Sequence, residues 1–102
     1  MPDLLLLDLQ MPGGNGMDVL RQVRAQKKRV RVVLLTAAID DASLLEATAL
    51  SVDGIVLKNS DPAYVLDCLD HVRHGRTWVD PEVAARMKVL AVKADSGGVG
   101  AL

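Results

Sequence analysis

Leu4-Leu5-Leu6-Leu7-Asp8-Leu9-Gln10-Met11-Pro12-Gly13-Gly14-Asn15-Gly16 decides how the rest of the chain is read. Four leucines run into one aspartate, and a Met-Pro-Gly-Gly turn then interrupts the chain. An unbroken apolar run of this length, bounded by turn residues, reads as a strand buried on both faces, as in a parallel sheet. Asp8 then stands at the carboxyl end of that strand, where open α/β sheets gather their ligands. Pro12 and the following glycines stop the strand, which leaves the carboxylate at the rim rather than in the core. A solvent-facing aspartate closing an ordinary strand is the competing reading. This stretch alone does not choose between them.

The bulk properties narrow the classes. A chain of 102 residues is one modest domain at most, and 50% apolar content is enough for a core. With one Tyr, one Trp and no Phe, that core must be built from Leu, Val, Ile, Ala and Met. A net charge of −1 argues against a dedicated nucleic-acid binder, which is normally basic. The lone Cys68 permits neither an internal disulfide nor a cysteine metal cluster, and its place in a helical apolar pattern reads as a buried structural thiol. No apolar run reaches the ~18 residues of a membrane span. No basic region precedes the leucines as in a signal peptide, so the expectation is a soluble cytoplasmic chain with no membrane partner.

Along the chain, Asp18 to about Lys27 has a narrow helical stripe in Met17, Leu20 and Val23. The basic run Lys27-Lys28-Arg29-Val30-Arg31 lacks aromatic neighbours for base stacking and reads as a solvated connector. Val30 to Leu35 is a second strand ending at Thr36-Ala37-Ala38. Asp40 or Asp41 then caps a helix that runs to about Leu50. Asp53-Gly54 is a turn, and Ile55-Val56-Leu57 is a third strand closing on Lys58. Ser60-Asp61-Pro62 starts another helix, with Val65, Cys68, Leu69 and Val72 as its buried stripe and an end near Gly75. Asp80-Pro81 opens a last helix through about Val92, and the Gly-rich end reads as a flexible tail. His71 and His74, three apart, lack an evident third ligand and read as a solvated helix end.

Alternating strands and helices imply crossover connections and a parallel sheet. Three strand ends then bring Asp8, Thr36 and Lys58 to one rim. A carboxylate can act as nucleophile or metal ligand, an ammonium can neutralise a phosphoryl oxygen, and a hydroxyl can donate a hydrogen bond to it. The bland reading is a rim ion pair beside an incidental threonine.

At these residues the chain resembles the receiver domain of a two-component response regulator. The resemblance is carried by Pro2-Asp3-Leu4 through Gly13, Asn15-Gly16, Val33-Leu34-Leu35-Thr36-Ala37 and Asp53-Gly54-Ile55-Val56-Leu57-Lys58, with Thr36 28 residues after Asp8 and Lys58 22 after Thr36. It implies a flavodoxin-like α/β fold in which Asp8 accepts a phosphoryl group from a sensor histidine kinase with Mg²⁺ present. Thr36 and Ala37 would contact and switch on the phosphoryl group, Lys58 would hold it, and the Gln10 backbone carbonyl would join Asp8 as a metal ligand. Gly75 to Arg86 resembles the connector of the NarL/FixJ-like subgroup, which implies a helix-turn-helix output domain and DNA contact only through that domain. The expected layout is a receiver over 1–77, a linker helix over 78–92 and a flexible tail over 93–102.

Three departures accompany the resemblance. The match begins at the family's third strand, so the expectation is a partial receiver, truncated at both ends, without the first strand, first helix, second strand and acidic metal-binding pair. One carboxylate and one carbonyl make a poor Mg²⁺ site. Ile55 stands where receivers carry a switching aromatic, and Asn59 stands where many carry a proline, so a trans bond is expected there. Truncation would leave Leu4–Leu7 as an unpaired edge, and the expectation is a homo-oligomer formed through that edge or by element exchange. A degenerate receiver acting only as an association module is the alternative function. A haloacid-dehalogenase-like phosphatase fits poorly, because Gln10 occupies its second carboxylate position; no enzyme activity is expected.

Overall fold

The computed structural model describes residues 4–11, 14–26 and 30–100. The basic cluster at 27–29, Asp3 and the Pro12–Gly13 turn lie outside the described residues. The elements run β1 (Leu4–Asp8), β2 (Gln10–Met11), β3 (Gly14–Asn15), α1 (Gly16–Ala25), β4 (Arg31–Thr36), α2 (Asp41–Ala49), β5 (Gly54–Leu57), α3 (Ala63–Arg73), β6 (Trp78–Val79) and α4 (Pro81–Gly100). Strands β1, β4, β5 and β6 form one sheet in that order, and every neighbouring pair is parallel. The α/β reading therefore holds, with β1 at one edge of the sheet.

Strand alternation sorts the apolar side chains onto two faces. Leu7, Val32, Leu34, Ile55 and Leu57 point to one face, where Met17 and Leu20 of α1, Leu44 and Ala47 of α2 and Val83 of α4 complete a buried cluster. Val33 and Val56 point to the other, against Cys68 and Val72 of α3. Burial pushes the Cys68 thiol up to about 11, which keeps it protonated and inert. Gly54 is required beside it, because a Cβ there would drive into the Cys68 sulfur. The second face is thinly covered: Leu4 and Leu6 of β1 stay exposed on it at 38% and 45%.

The helix starts follow their caps. Asp40 is the N-cap of α2 and accepts from the Ser43 N–H at 2.7 Å. Asp61 accepts from the Ala63 N–H at 2.9 Å, with Pro62 already helical at φ −54° and ψ −28°. The Asp80 carboxylate accepts from the Glu82 N–H at 3.1 Å and turns inward to the Leu57 N–H at 3.4 Å.

Two expectations need correction. Trp78 and Val79 do not belong to a linker helix over 78–92; they form β6, pairing with Gly54 and Ile55. The aromatic and β-branched pair suits a pleated surface, and Trp78 also packs on Tyr64 with ring centroids 5.5 Å apart. The last helix then starts at Pro81 and continues through Gly100, where 93–102 was expected to be a flexible tail. Asp80 caps its start, and once a helix is nucleated each further residue adds one backbone hydrogen bond.

Candidate functional site at the sheet rim

Parallel pairing sets the geometry of the rim. Asp8 lies opposite Leu35 and Thr36 lies opposite Leu57, so the ends of β1, β4 and β5 arrive side by side. Lys58 follows β5 directly, and its N–H donates to the Thr36 carbonyl at 2.8 Å. The Lys58 Nζ reaches the Asp8 Oδ2 at 2.5 Å. The other carboxylate oxygen, Oδ1, accepts from the Gln10 N–H at 2.9 Å. The Lys58 ammonium first, and the Gln10 N–H second, hold the Asp8 carboxyl below its ordinary range. Both partners of the pair are about one-third exposed. The anion at Asp8 is therefore open to solvent and already matched to a cation.

Thr36 behaves differently. Its side chain is fully buried and does not join the Asp8–Lys58 pair. The hydroxyl donates to the Ala38 carbonyl at 2.6 Å. The Gln10 side chain covers it: Nε2 donates to Thr36 Oγ1 at 2.7 Å and to the Ala38 carbonyl at 3.1 Å, while Oε1 accepts from the Ala37 N–H at 2.9 Å. Ile55 is buried at the centre of β5 within the main core cluster, so the position carries no mobile ring. The Lys58–Asn59 bond is trans.

Two further residues position the rim and were not singled out for it from the sequence. Gly16 lets the start of α1 approach the end of β1, since a Cβ there would lie 2.7 Å from the Asp8 carbonyl oxygen. Arg86 of α4 donates to the Ile39 carbonyl at 2.5 Å and to Asp41 at 2.6 Å, strapping the loop that follows Thr36. No local pattern marks Arg86; its contacts depend on how α4 packs. The Gln10 side chain did have a signal, because Gln10 stands only two residues after Asp8, at the same strand end.

The donors among the described residues do not make a Mg²⁺ site. Among the described residues no group of three His, Cys, Asp or Glu side chains could hold a metal ion. Both Asp8 oxygens are already engaged, whereas Mg²⁺ demands six oxygens in near-octahedral array. His71 and His74 turn their Nδ1 atoms to the Asp67 and Asp70 carbonyls.

A family model described as the response regulator receiver domain matches residues 1–70. The chain belongs to the response regulator receiver family. Receivers are signalling modules of two-component systems, and response regulators work with histidine kinases. The response regulator protein VraR of Staphylococcus aureus is 29% identical over 87 residues, which cover 85% of this chain and 42% of that protein. The chain thus spans about two-fifths of the length of the curated relatives it matches. A two-component response regulator of the LuxR family from an Aurantimonas species superposes with a TM-score of 0.78 at 28% identity, covering 88% of this chain and 64% of that one. The isolated receiver domain of RcsB from Salmonella enterica serovar Typhimurium, solved with the phosphomimetic BeF3⁻, gives 0.72 at 26% identity over 80% and 62%. The expected receiver fold is thereby established. No described helix is long and apolar enough to cross a membrane.

Proposed function

We propose that this receiver takes a phosphoryl group on Asp8 from a sensor histidine kinase and passes the change, through α4, to a DNA-binding output domain. The observation that carries the reading is the Asp8–Lys58 contact at 2.5 Å on an open rim. An ionised carboxylate is the form that attacks phosphorus, and an adjacent ammonium neutralises the charge gathered on the phosphoryl oxygens. Thr36 and Ala37 supply the hydroxyl and N–H donors on the neighbouring strand end, and Ile55 takes the place of the switching aromatic as a fixed core residue. The anchoring of α4 supports the output path: Asp80 ties its start to β5, and Arg86 ties its flank to the loop after Thr36. The protein acts in the cytoplasm and is itself no enzyme.

Incubation with acetyl phosphate, with and without Mg²⁺, followed by peptide mass mapping tests this. A phosphate increment on the peptide holding Asp8, absent in Asp8→Asn, supports the reading. The alternative, a receiver that only mediates protein association, is favoured by one observation: the described donors do not fit Mg²⁺. No increment under either condition would select it. The exposed Leu4 and Leu6 beside the open peptide groups of β1 support self-association through that edge. Sedimentation velocity should then give a dimer or larger species at micromolar concentration, and a cooperatively folding monomer would refute it.

A further inference from the structure

Resting on the phosphoacceptor reading of Asp8 and going beyond it, we propose that Gln10 is a positioning residue that latches the switch. Its side-chain amide occupies Thr36 and Ala37 in the resting state and must let go before either can meet an oxyanion at Asp8.

The proton inventory fixes the amide's orientation. Oε1 faces the Ala37 N–H at 2.9 Å, and Nε2 has two protons for its two acceptors, Thr36 Oγ1 and the Ala38 carbonyl. A flipped amide would set its NH2 against the Ala37 N–H and its oxygen against the Ala38 carbonyl, so only one orientation satisfies every group. The single Thr36 hydroxyl proton goes to the Ala38 carbonyl at 2.6 Å, which leaves its 3.0 Å contact with Gln10 Oε1 without a proton of its own. All donors of this corner are spent on one another. The Ala37 N–H, aimed at an amide oxygen, is presented as it would be to a phosphoryl oxygen, and Gln10 fills that place.

The latch is built to release. Gln10 is exposed, so water can replace its amide bonds at little cost. An open cleft of about 340 Å³, lined by Gln10, Leu9, Met17, Ile39 and Asp40 among others, lies beside it and has room for the displaced side chain. The Gln10 N–H meanwhile bonds Asp8 through the backbone, so one residue touches the acceptor with its main chain and the switch with its side chain.

Gln10→Met keeps the length of the side chain and removes the amide; Gln10→Ala removes the stem as well. Two readings on the unmodified 102-residue chain and its variants decide the proposal. Amide hydrogen exchange at Ala37 should accelerate about tenfold in both variants, while amides of β4 keep their protection and certify the fold. Phosphoryl uptake at Asp8 from acetyl phosphate should rise about two- to tenfold, the worth of one net hydrogen bond removed from the resting state. Unchanged exchange at Ala37 would overturn the latch. Faster exchange with equal, measurable uptake would show that the latch gates nothing, and would overturn the proposal while leaving the phosphoacceptor reading intact. No uptake in the parent or the variants would overturn that reading and this inference with it.

Discussion

The rim has two halves that share one sheet end and are bridged by Gln10. At the ends of β1 and β5, Asp8 and Lys58 form an open ion pair about one-third exposed. At the end of β4, Thr36 is fully buried and closed under Gln10 by a neutral hydrogen-bond corner. An exposed pair contributes little to folding, since water and salt screen it. A buried hydroxyl is costly to strip of its partners. The difference teaches that the half carrying the reactive charge is free to change partners, and the half carrying the switch is tied to the stability of the fold.

Stability measurements by urea denaturation set the halves against each other. Thr36→Val should give the largest loss, about 1–3 kcal/mol, because the hydroxyl's bonds to the Ala38 carbonyl, the Ala38 N–H and Gln10 are lost together from a part-buried corner. Arg86→Met should cost less, about 0.5–1.5 kcal/mol, from the bonds to the Ile39 carbonyl and Asp41 on a partly exposed surface. Lys58→Met should move the midpoint least, because the ion pair it breaks is open to solvent. A Lys58→Met loss as large as that of Thr36→Val would erase the distinction between the halves.

Much of this was legible before any coordinates. The leucine run, the β-branched run ending at Thr36 and the apolar triplet before Lys58 all read as buried strands, and parallel strands must deliver their ends to one side. That logic placed Asp8, Thr36 and Lys58 together. It could not say which of them would touch, because the partner of a side chain depends on loop conformation rather than strand order. Gln10 was read for its backbone carbonyl and for the carboxylate it lacks, although its side-chain amide holds the Thr36 corner. Strand β6 escaped notice because two residues, Trp78 and Val79, are too short for an alternation to register. The extent of α4 was missed because glycines at 97, 98 and 100 look like an end when propensity alone is weighed.

The carboxyl of Asp8 can be followed directly by carbon-detected NMR through an acid titration, in the parent chain and in Lys58→Met. In the parent, Asp8 should titrate below the ordinary 3.8, so that its share of stability is present above that value and fades as the pH falls through the lower folded value. In Lys58→Met the titration should move up toward 3.8 but stop short, held by the Gln10 N–H. Asp8 titrating at the ordinary value in both proteins would mean that carboxylate and ammonium do not meet at this rim.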